Sequence, residues 1–199
     1  QFKSIASSCA RLVEAINGNT ALFFPSYTIL ERVKAQLQQV CKRPMLTERP
    51  KLDKAGKDAI LDAFIKQKGK GAVLLAVASG SFGEGIDLPG DLLKGVVVVG
   101  LPLQPPDMEA RELIKYYEDK FGRGWEYGYI LPAITKSLQN AGRCIRSEKD
   151  KGVIVFLEER FAWPQYARCF PEEWDVMVTR EYEEEISDFF RETKIRNLK

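Results

Sequence analysis

Histidine is absent from the 199 residues, which excludes general-base catalysis by an imidazole. Cysteine is scarce and dispersed: Cys9, Cys41, Cys144 and Cys169 lie far apart, without the Cys-x-x-Cys pair of a zinc or redox site. We interpret them as reduced structural thiols. An excess of one charge is also lacking, since 30 Lys and Arg residues oppose 28 Asp and Glu residues and the net charge is +2. Any surface for a charged partner must therefore be local.

A membrane-spanning segment is not predicted either. No apolar run approaches the roughly 20 residues that a span needs, and no charged-then-apolar leader opens the chain. We expect a soluble, intracellular protein, cytoplasmic in a prokaryote or archaeon and nuclear in a eukaryote. The length and the 45% hydrophobic content fit one domain, residues 1–199. Because the chain begins at Gln1 rather than Met, we expect it to be part of a longer protein.

Short apolar runs alternate with amphipathic stretches. The predicted strands lie at 20–24, 72–78, 95–101 and 152–157, with a shorter candidate at 44–47. The predicted helices between the first of them lie at 27–40 and 55–67. The four long runs are rich in β-branched or aromatic residues and are bounded by Gly, Pro or charge, as in strands buried on both faces. The order βαβαβ predicts an α/β fold with an open, mostly parallel sheet and sites at the carboxyl ends of its strands.

Two segments extend beyond this pattern. About fifty residues separate the last two long strands, more than an ordinary crossover needs, so we expect a partly helical insertion at about 103–135. Its first part, 107–121, has the pattern of an exposed amphipathic helix. The chain then breaks at Gly122, Gly124 and Gly128, before a second helix around Pro132. After an aromatic-rich tail, a C-terminal extension at about 171–199 contains an acidic helix from Glu181, which we interpret as a solvated face.

A complete nucleoside triphosphate site is missing. The P-loop pattern Gly-x-x-x-x-Gly-Lys-Ser/Thr is most nearly approached at 80–85, but Ile86 stands in place of the lysine. The dinucleotide pattern Gly-x-Gly-x-x-Gly fails as well, since Gly83 and Gly85 are followed by Leu88. No predicted strand ends in paired carboxylates able to hold Mg²⁺. The chain alone is therefore a poor candidate for a complete enzyme.

A glycine-rich loop follows the predicted strand at 72–78. Residues 79–90 hold four glycines, which permit positive φ angles and a close approach of the backbone to a ligand. Glu84 and Asp87 add two carboxylates. An ordinary tight loop with solvated acids is the alternative.

A second constellation lies at 139–146. At about 100° per residue, a helix continued through this segment has a polar face beside an apolar stripe. The polar face comprises Gln139, Gly142, Arg143 and Arg146, and the stripe comprises Ile134, Leu138, Ala141 and Ile145. Arginine presents forked donors that match phosphate oxygens, and glycine does not block their approach. The alternative is a surface helix whose arginines face solvent or pair with Glu148 and Asp150.

These motifs resemble, in order, those of the XPD/Rad3 family of superfamily 2 DNA helicases, most closely its archaeal members. Residues 83–87, GEGID, resemble motif V, and residues 139–146 match motif VI, QxxGRxxR. Residues 23–27, FFPSY, resemble motif IV, while 150–152 and 159–161 resemble the DxG and DxRF stretches. Two departures are Gly83, where the family often has Ser, and Glu159, where DxRF has Asp. Motif VI alone is moderately specific, but the full order from residue 20 to residue 161 is strong support for the family.

The resemblance implies the second RecA-like motor domain of an ATP-dependent 5′ to 3′ DNA helicase, in nucleotide excision repair or a related pathway. The partners it implies are the first motor domain of the same protein, single-stranded DNA and proteins of a repair complex, with no membrane. ATP and Mg²⁺ would be held mainly by the first motor domain. A 4Fe-4S cluster is expected only in the full-length protein, with none of the present cysteines as ligands.

Site residues follow from the matched motifs. As catalytic residues we expect Arg143 and Arg146; as ATP-binding residues Gln139, Gly142, Glu84, Gly85 and Asp87; as DNA-binding residues Ser26, Tyr27 and Arg160; and no metal ligand. Aromatic residues after Arg160 are expected mainly in the core, with base stacking as the alternative. Two other functions remain open: a DinG-type helicase, which shares motifs V and VI, and a non-catalytic α/β module whose acidic helix docks onto a basic partner.

Overall fold

A computed structural model describes residues 1–84, 92–103, 105–147 and 150–196, of which residues 192–196 are described as helix backbone only. The strands are β1 (Thr20–Phe24), β2 (Met45–Thr47), β3 (Val73–Val77), β4 (Gly95–Val98) and β5 (Val153–Phe156). The helices are α1 (Phe2–Ala15), α2 (Tyr27–Val40), α3 (Lys54–Lys66), α4 (Met108–Phe121), α5 (Leu131–Ala141), α6 (Pro164–Ala167) and α7 (Tyr182–Arg196). A π-helical turn, Glu126–Ile130, precedes α5, and a 3-10 turn, Glu159–Ala162, precedes α6.

The strands form one parallel sheet in the order β2-β3-β1-β4-β5. Thr20 in the central strand pairs with Val73 on one side and Gly95 on the other. The predicted open, parallel α/β sheet is thus confirmed, including the short strand β2. One expectation was wrong, because β5 is only half-buried along its length. It lies at the edge of the sheet, where it has one neighbouring strand instead of two.

Alternate side chains of the strands fill two cores, one on each face of the sheet. Leu22 and Phe24 pack with α1 and α2, whereas Ala21 and Phe23 pack with α3, α5 and the segment around α6. Helix α1 was not predicted from the sequence. Its buried residues nevertheless recur on one face at the spacing of an amphipathic helix: Ala6, Cys9, Leu12 and Val13. These residues are buried, so α1 completes the cover of one face.

Because all strands are parallel, their carboxyl ends lie along one edge of the sheet. Ser26 and Tyr27 follow β1, Glu48 follows β2, and residues 78–84 follow β3. Glu158 and Arg160 follow β5. Two strands that are adjacent in the sheet, β1 and β3, therefore deliver motif IV and the start of the glycine-rich loop to neighbouring positions.

The predicted insertion contains two helical segments that pack closely. Helix α4 has no buried residue, as expected for an exposed helix, and ends at Gly122 with φ of 64°. The predicted breaks at Gly124 and Gly128 were wrong, since both lie within helical turns. A Cβ at Gly128 would lie 2.7 Å from the Cα of Ile114, and one at Gly124 would lie 2.2 Å from its carbonyl oxygen. These glycines are needed because the two helices approach backbone to backbone.

The acidic helix at the C-terminus is confirmed as α7, with Glu183 in its first turn. Ile186 is buried against the α1–α2 face, and Arg11 of α1 pairs with Glu183 at 3.3 Å. The helix is therefore anchored to its own domain. Within the described residues, no helix is both long and apolar enough to span a membrane.

Candidate functional site

The loop after β3 folds back tightly on the end of its own strand. The N–H of Glu84 donates to the carbonyl oxygen of Gly80 at 3.0 Å. A Cβ at Gly83 would lie 2.1 Å from the carbonyl oxygen of Ala78. We expected the glycines to permit positive φ angles, but neither Gly80 nor Gly83 has a positive φ. Close packing explains the glycines at these two described positions.

Helix α5 ends earlier than the motif VI pattern predicted. Its last residue is Ala141, and the N–H groups of Arg143 and Cys144 donate to carbonyl oxygens three residues back. The prediction of a single helical face was therefore wrong for the residues it grouped: Gln139, Gly142, Arg143 and Arg146. The apolar stripe also changes, since Cys144 is buried and Ile145 is 46% exposed. Asp150 explains the departure, because its Oδ2 accepts from the N–H groups of Arg146 and Ser147, each at 2.9 Å, outside any helix.

Arg143 nevertheless points back to the glycine-rich loop. Its Nη2 donates to the carbonyl oxygen of Gly83, so motif VI and motif V are in direct contact. Burial lowers the pKa of the half-buried Arg143 guanidinium, although arginine remains charged at neutral pH. A partly desolvated cation held by a backbone carbonyl has a fixed position. That arrangement suits an anion presented from outside the domain.

Lys136 of α5 makes a second link to the loop. Its Nζ lies 2.7 Å from Oε1 of Glu84, and this contact lowers the pKa of the Glu84 carboxyl group. The sequence analysis missed Lys136. The signal for it was its position three residues before Gln139, which places both side chains on one side of α5.

The predicted nucleotide-site residues meet at one open cavity of about 490 Å³. Its lining comprises Gly83, Glu84, Gln139, Gly142, Arg143 and Arg146. Both predicted catalytic arginines and three of the five predicted ATP-binding residues are thus brought together. Gly85 and Asp87, the other two, lie outside the described residues.

The predicted DNA-binding residues lie elsewhere, at the carboxyl ends of β1 and β5. Ser26 caps α2, its Oγ accepting from the N–H of Ile29 at 3.3 Å. The hydroxyl of Tyr27 donates to Oε1 of Glu48 at 3.2 Å. Burial, then the charge and hydrogen bond of Glu48, raise the pKa of Tyr27 to about 12. Both side chains are half-buried, so a DNA contact by either remains a prediction.

Arg160 forms a forked pair with Glu158. Its Nε and Nη2 donate to the two carboxylate oxygens of Glu158, which raises the pKa of Arg160. Glu158 Oε2 also accepts from the N–H of Leu101 at 2.8 Å, joining the ends of β4 and β5. This geometry corrects the motif alignment. In DxRF the acid precedes the arginine by two positions, so its counterpart is Glu158 and not Glu159.

Two further buried polar residues hold the loop and were missed. Asn140 donates from Nδ2 to the carbonyl oxygen of Ala78 at 3.1 Å. Glu48 accepts from the N–H groups of Val77 at 2.8 Å and Phe82 at 3.4 Å. Both side chains are fully buried. Asn140 lay within motif VI as a variable position, and Glu48 gave no signal because glutamate is ordinarily exposed.

The cysteines do not fit a metal cluster. Cys9 lies in the core on one face of the sheet and Cys144 in the core on the other. Burial raises the pKa of each of these two thiols to about 12. All four are free thiols, consistent with the structural role predicted for them.

Five aromatic residues lie between Arg160 and α7, and four of them belong to the core or pack against it: Phe161, Tyr166, Phe170 and Trp174. Phe161 and Phe170 pack against Phe156, with ring centroids 4.9 Å from it in each case. Tyr166 is buried, whereas Trp163 is 44% exposed. The expected core role therefore holds for Phe161 and Tyr166.

A family model and similar proteins of known function identify the same family for this chain. The family of helicase C-terminal domains matches residues 9–177. The ATP-dependent DNA helicase DinG of Photobacterium profundum is 31% identical over 166 residues, covering 79% of this chain and 23% of that protein. The ATP-dependent DNA helicase XPD of Sulfolobus acidocaldarius is 27% identical over 176 residues, covering 84% of this chain and 30% of that protein.

Solved structures agree. The apo structure of XPD superposes with a TM-score of 0.68 at 26% identity, covering 84% of this chain and 34% of that one. The C-terminal domain of the DEAD-box protein Dbp5 has a TM-score of 0.60 at 14% identity, covering 94% of this chain and 91% of that one. At this low identity the similarity shows a shared fold alone. The chain spans between about a sixth and a third of the length of the curated relatives it matches.

Proposed function

The chain belongs to the helicase C-terminal domain family, in its XPD/Rad3 branch, and we propose that it is the second motor domain of an ATP-dependent 5′ to 3′ DNA helicase. In this proposal the first motor domain binds ATP through its P-loop and Mg²⁺. The present domain closes over the γ-phosphate with Arg143 and Arg146. The observation that carries the proposal is the single cavity lined by both arginines, Gln139 and Gly142, and by the loop of motif V.

The proposed chemistry is stabilisation of charge. Phosphoryl transfer to water spreads negative charge over the γ-phosphate oxygens, and an arginine supplied from outside the P-loop domain accelerates it by about 10³ to 10⁵. Such a donor is effective when it is already in place, because no reorganisation is then needed. The contact between Arg143 and the Gly83 carbonyl supplies this preorganisation. Gly142 leaves the approach to both arginines open, since a glycine has no side chain.

The metal and the cluster are assigned to the rest of the protein. Among the described residues, no group of three or more Cys, Asp or Glu side chains is arranged to hold a metal ion. The resemblance to the XPD/Rad3 family is what supports placing the Mg²⁺ ligands in the first motor domain. A 4Fe-4S cluster, if the full-length protein has one, would use cysteines outside this chain.

Motion follows from closing a cleft between two domains. ATP draws the arginines toward the first domain, and hydrolysis releases them, so that the nucleotide state sets the distance between the domains. The DNA track is proposed at the carboxyl ends of β1 and β5, where Ser26, Tyr27 and Arg160 lie. Nucleotide excision repair inside the cell, with proteins of a repair complex as partners, is the biological role we propose.

A DinG-type helicase is a second candidate, favoured by the 31% identity to that protein. It would use the same cavity and differ in pathway and partners. The family match favours a helicase domain over the non-catalytic module; α7 packs on α1 of its own domain but leaves Glu184 and Glu185 exposed.

The test uses the full-length helicase that contains this chain, with the variants Arg143→Ala, Arg146→Ala and Arg143→Lys. Arg191→Ala is the matched control, because Arg191 is exposed on α7 and pairs with Asp188. We expect either Ala variant at the cavity to lose at least about a hundredfold in DNA-stimulated turnover, with unfolding temperature and DNA binding nearly unchanged. Lys should rescue poorly, since an ammonium does not replace a planar fork. Near-normal turnover of the Ala variants, or their failure to fold, would overturn the proposal.

A further inference from the structure

Glu48, directly after β2, is a fully buried carboxylate that joins three separate elements. It is 0% exposed. Its Oε2 accepts from the N–H of Val77 at the end of β3, at 2.8 Å. Its Oε1 accepts both from the N–H of Phe82 in the glycine-rich loop, at 3.4 Å, and from the hydroxyl of Tyr27 at the start of α2, at 3.2 Å.

The loop is shaped around this carboxylate. A Cβ at Gly80 would lie 2.4 Å from Oε1 and 2.7 Å from Oε2 of Glu48. Only a residue without a side chain therefore leaves room for the carboxylate at that point. The backbone N–H of Glu48 also donates to the carbonyl oxygen of Leu75 at 2.8 Å, which extends the pairing of β2 with β3 and fixes where the side chain starts.

Three donors converge on two oxygens, and this requires an acceptor at every contact. An ionised carboxylate accepts only, whereas the amide of glutamine would turn an NH₂ group toward one of the donors. A buried donor left facing another donor is costly. The arrangement therefore depends on glutamate specifically, and Gln is a close match in shape that replaces one of the two acceptor oxygens by an NH₂ donor.

We propose that Glu48 is a positioning residue that couples Tyr27, on the DNA side, to the motif V loop on the ATP side. The inference rests on the proposed function, because it assigns those two sides. The path is short: Oε1 of Glu48 is shared between Tyr27 and Phe82, and Phe82 is bonded through the chain to Gly83, whose carbonyl oxygen accepts from Arg143. A displacement of Tyr27 by DNA therefore alters the hydrogen bond that holds the loop beside the catalytic arginine.

The experiment measures coupling in the full-length helicase. The variants are Glu48→Gln, Tyr27→Phe and the two combined, with Glu31→Gln as control, since Glu31 is exposed on α2 and pairs with Lys34. The readouts are the ratio of ATP turnover at saturating single-stranded DNA to turnover without DNA, and the DNA concentration giving half of the stimulation. A loss of packing alone would lower both turnovers and leave the ratio in place.

We expect Glu48→Gln and Tyr27→Phe each to lower the ratio by at least about fivefold, the lower end of typical coupling between sites. The double variant should lose no more than the larger single loss, because both changes break one path. A folded Glu48→Gln enzyme with the wild-type ratio, or losses that simply add, would overturn the inference. If Glu48→Gln does not fold, Tyr27→Phe decides alone: a lowered ratio supports the coupling and an unchanged ratio refutes it. A wild-type enzyme without DNA-stimulated turnover would instead refute the proposed function.

Discussion

Gly83 provides a direct test of the packing that shapes the site. A Cβ at this position would lie 2.1 Å from the carbonyl oxygen of Ala78, 2.7 Å from its carbonyl carbon and 2.8 Å from the carbonyl oxygen of Val77. All three atoms belong to the backbone, at the end of the buried strand β3. None of them can swing away as a flexible side chain does. Gly83→Ala must therefore push the loop off the strand.

The expected cost follows from that displacement. Forcing an extra carbon into a packed site costs about 1–3 kcal/mol, and the lower entropy of alanine in the unfolded chain offsets about 0.4–1 kcal/mol of it. For a domain of this size, 1 kcal/mol corresponds to roughly 2–4 °C in melting temperature. We therefore expect Gly83→Ala to melt several degrees lower, and Gly83→Ser, the residue often found in the family, at least as low.

The measurement is thermal unfolding followed by circular dichroism, with Gly69→Ala as the matched control. Gly69 lies in an exposed turn, has no positive φ and would meet nothing within 4 Å of an added Cβ. Its substitution should change stability by less than about 0.5 kcal/mol, as at an ordinary surface position. Equal melting temperatures for the Gly83→Ala and Gly69→Ala proteins would refute the close packing of the loop.

Three further predictions concern activity, binding and pH. The 199-residue chain alone should hydrolyse no ATP, because its sequence has neither the P-loop lysine nor paired acids for Mg²⁺; DNA-stimulated turnover by a helicase-free preparation would contradict this. The same chain should bind single-stranded DNA weakly, with affinity falling between about 50 and 200 mM salt, and tight binding that ignores salt in a fluorescence titration would count against it. The pKa of Tyr27 is raised in the folded state, to about 12 against an ordinary 10.0. The protonated hydroxyl therefore contributes to the free energy of unfolding; this contribution is fully present below pH 10.0 and is lost as the pH rises toward 12. Tyr27→Phe should therefore make the alkaline loss of stability in urea titrations shallower, and an unchanged slope would show that Tyr27 does not titrate in this way.

The sequence predicted correctly those elements whose ends are determined by residues next to them in the chain. Helix α2 was predicted with its observed bounds, because Ser26 caps its first turn and apolar residues recur along it. Strand β1 was predicted equally well, since a short apolar run bounded by Asn19 and Pro25 leaves little choice of length. In both elements the sequence signal and the physical cause lie within a few residues of each other.

The errors arose where a distant residue sets the local structure. The end of α5 depends on Asp150, which takes up two N–H groups that a continued helix would have used internally. Gly152 adds to this, since a Cβ there would lie 2.4 Å from the Sγ of Cys144. The burial of Glu48 likewise depends on donors from β3, α2 and the loop, and only the folded sheet brings these together. A helical projection of one segment contains none of this information.

The contacts that hold the motif V loop differ in strength along its length. At its start, Glu48 binds the N–H of Val77 and Asn140 binds the carbonyl oxygen of Ala78, and both side chains are fully buried. Buried partners of this kind are costly to separate, since each leaves an unsatisfied group behind.

At its described end, Glu84 is held by Lys136 through side chains that are 61% and 28% exposed. An exposed pair is worth about 0–1 kcal/mol, so a phosphate or a DNA strand can replace Glu84 as the partner of Lys136 at little cost. The loop is thus fixed where it leaves the sheet and releasable where it borders the cavity. If the proposed function holds, movement during a cycle of ATP binding and hydrolysis should therefore begin at Glu84, while the strand and the residues held by Glu48 stay in place.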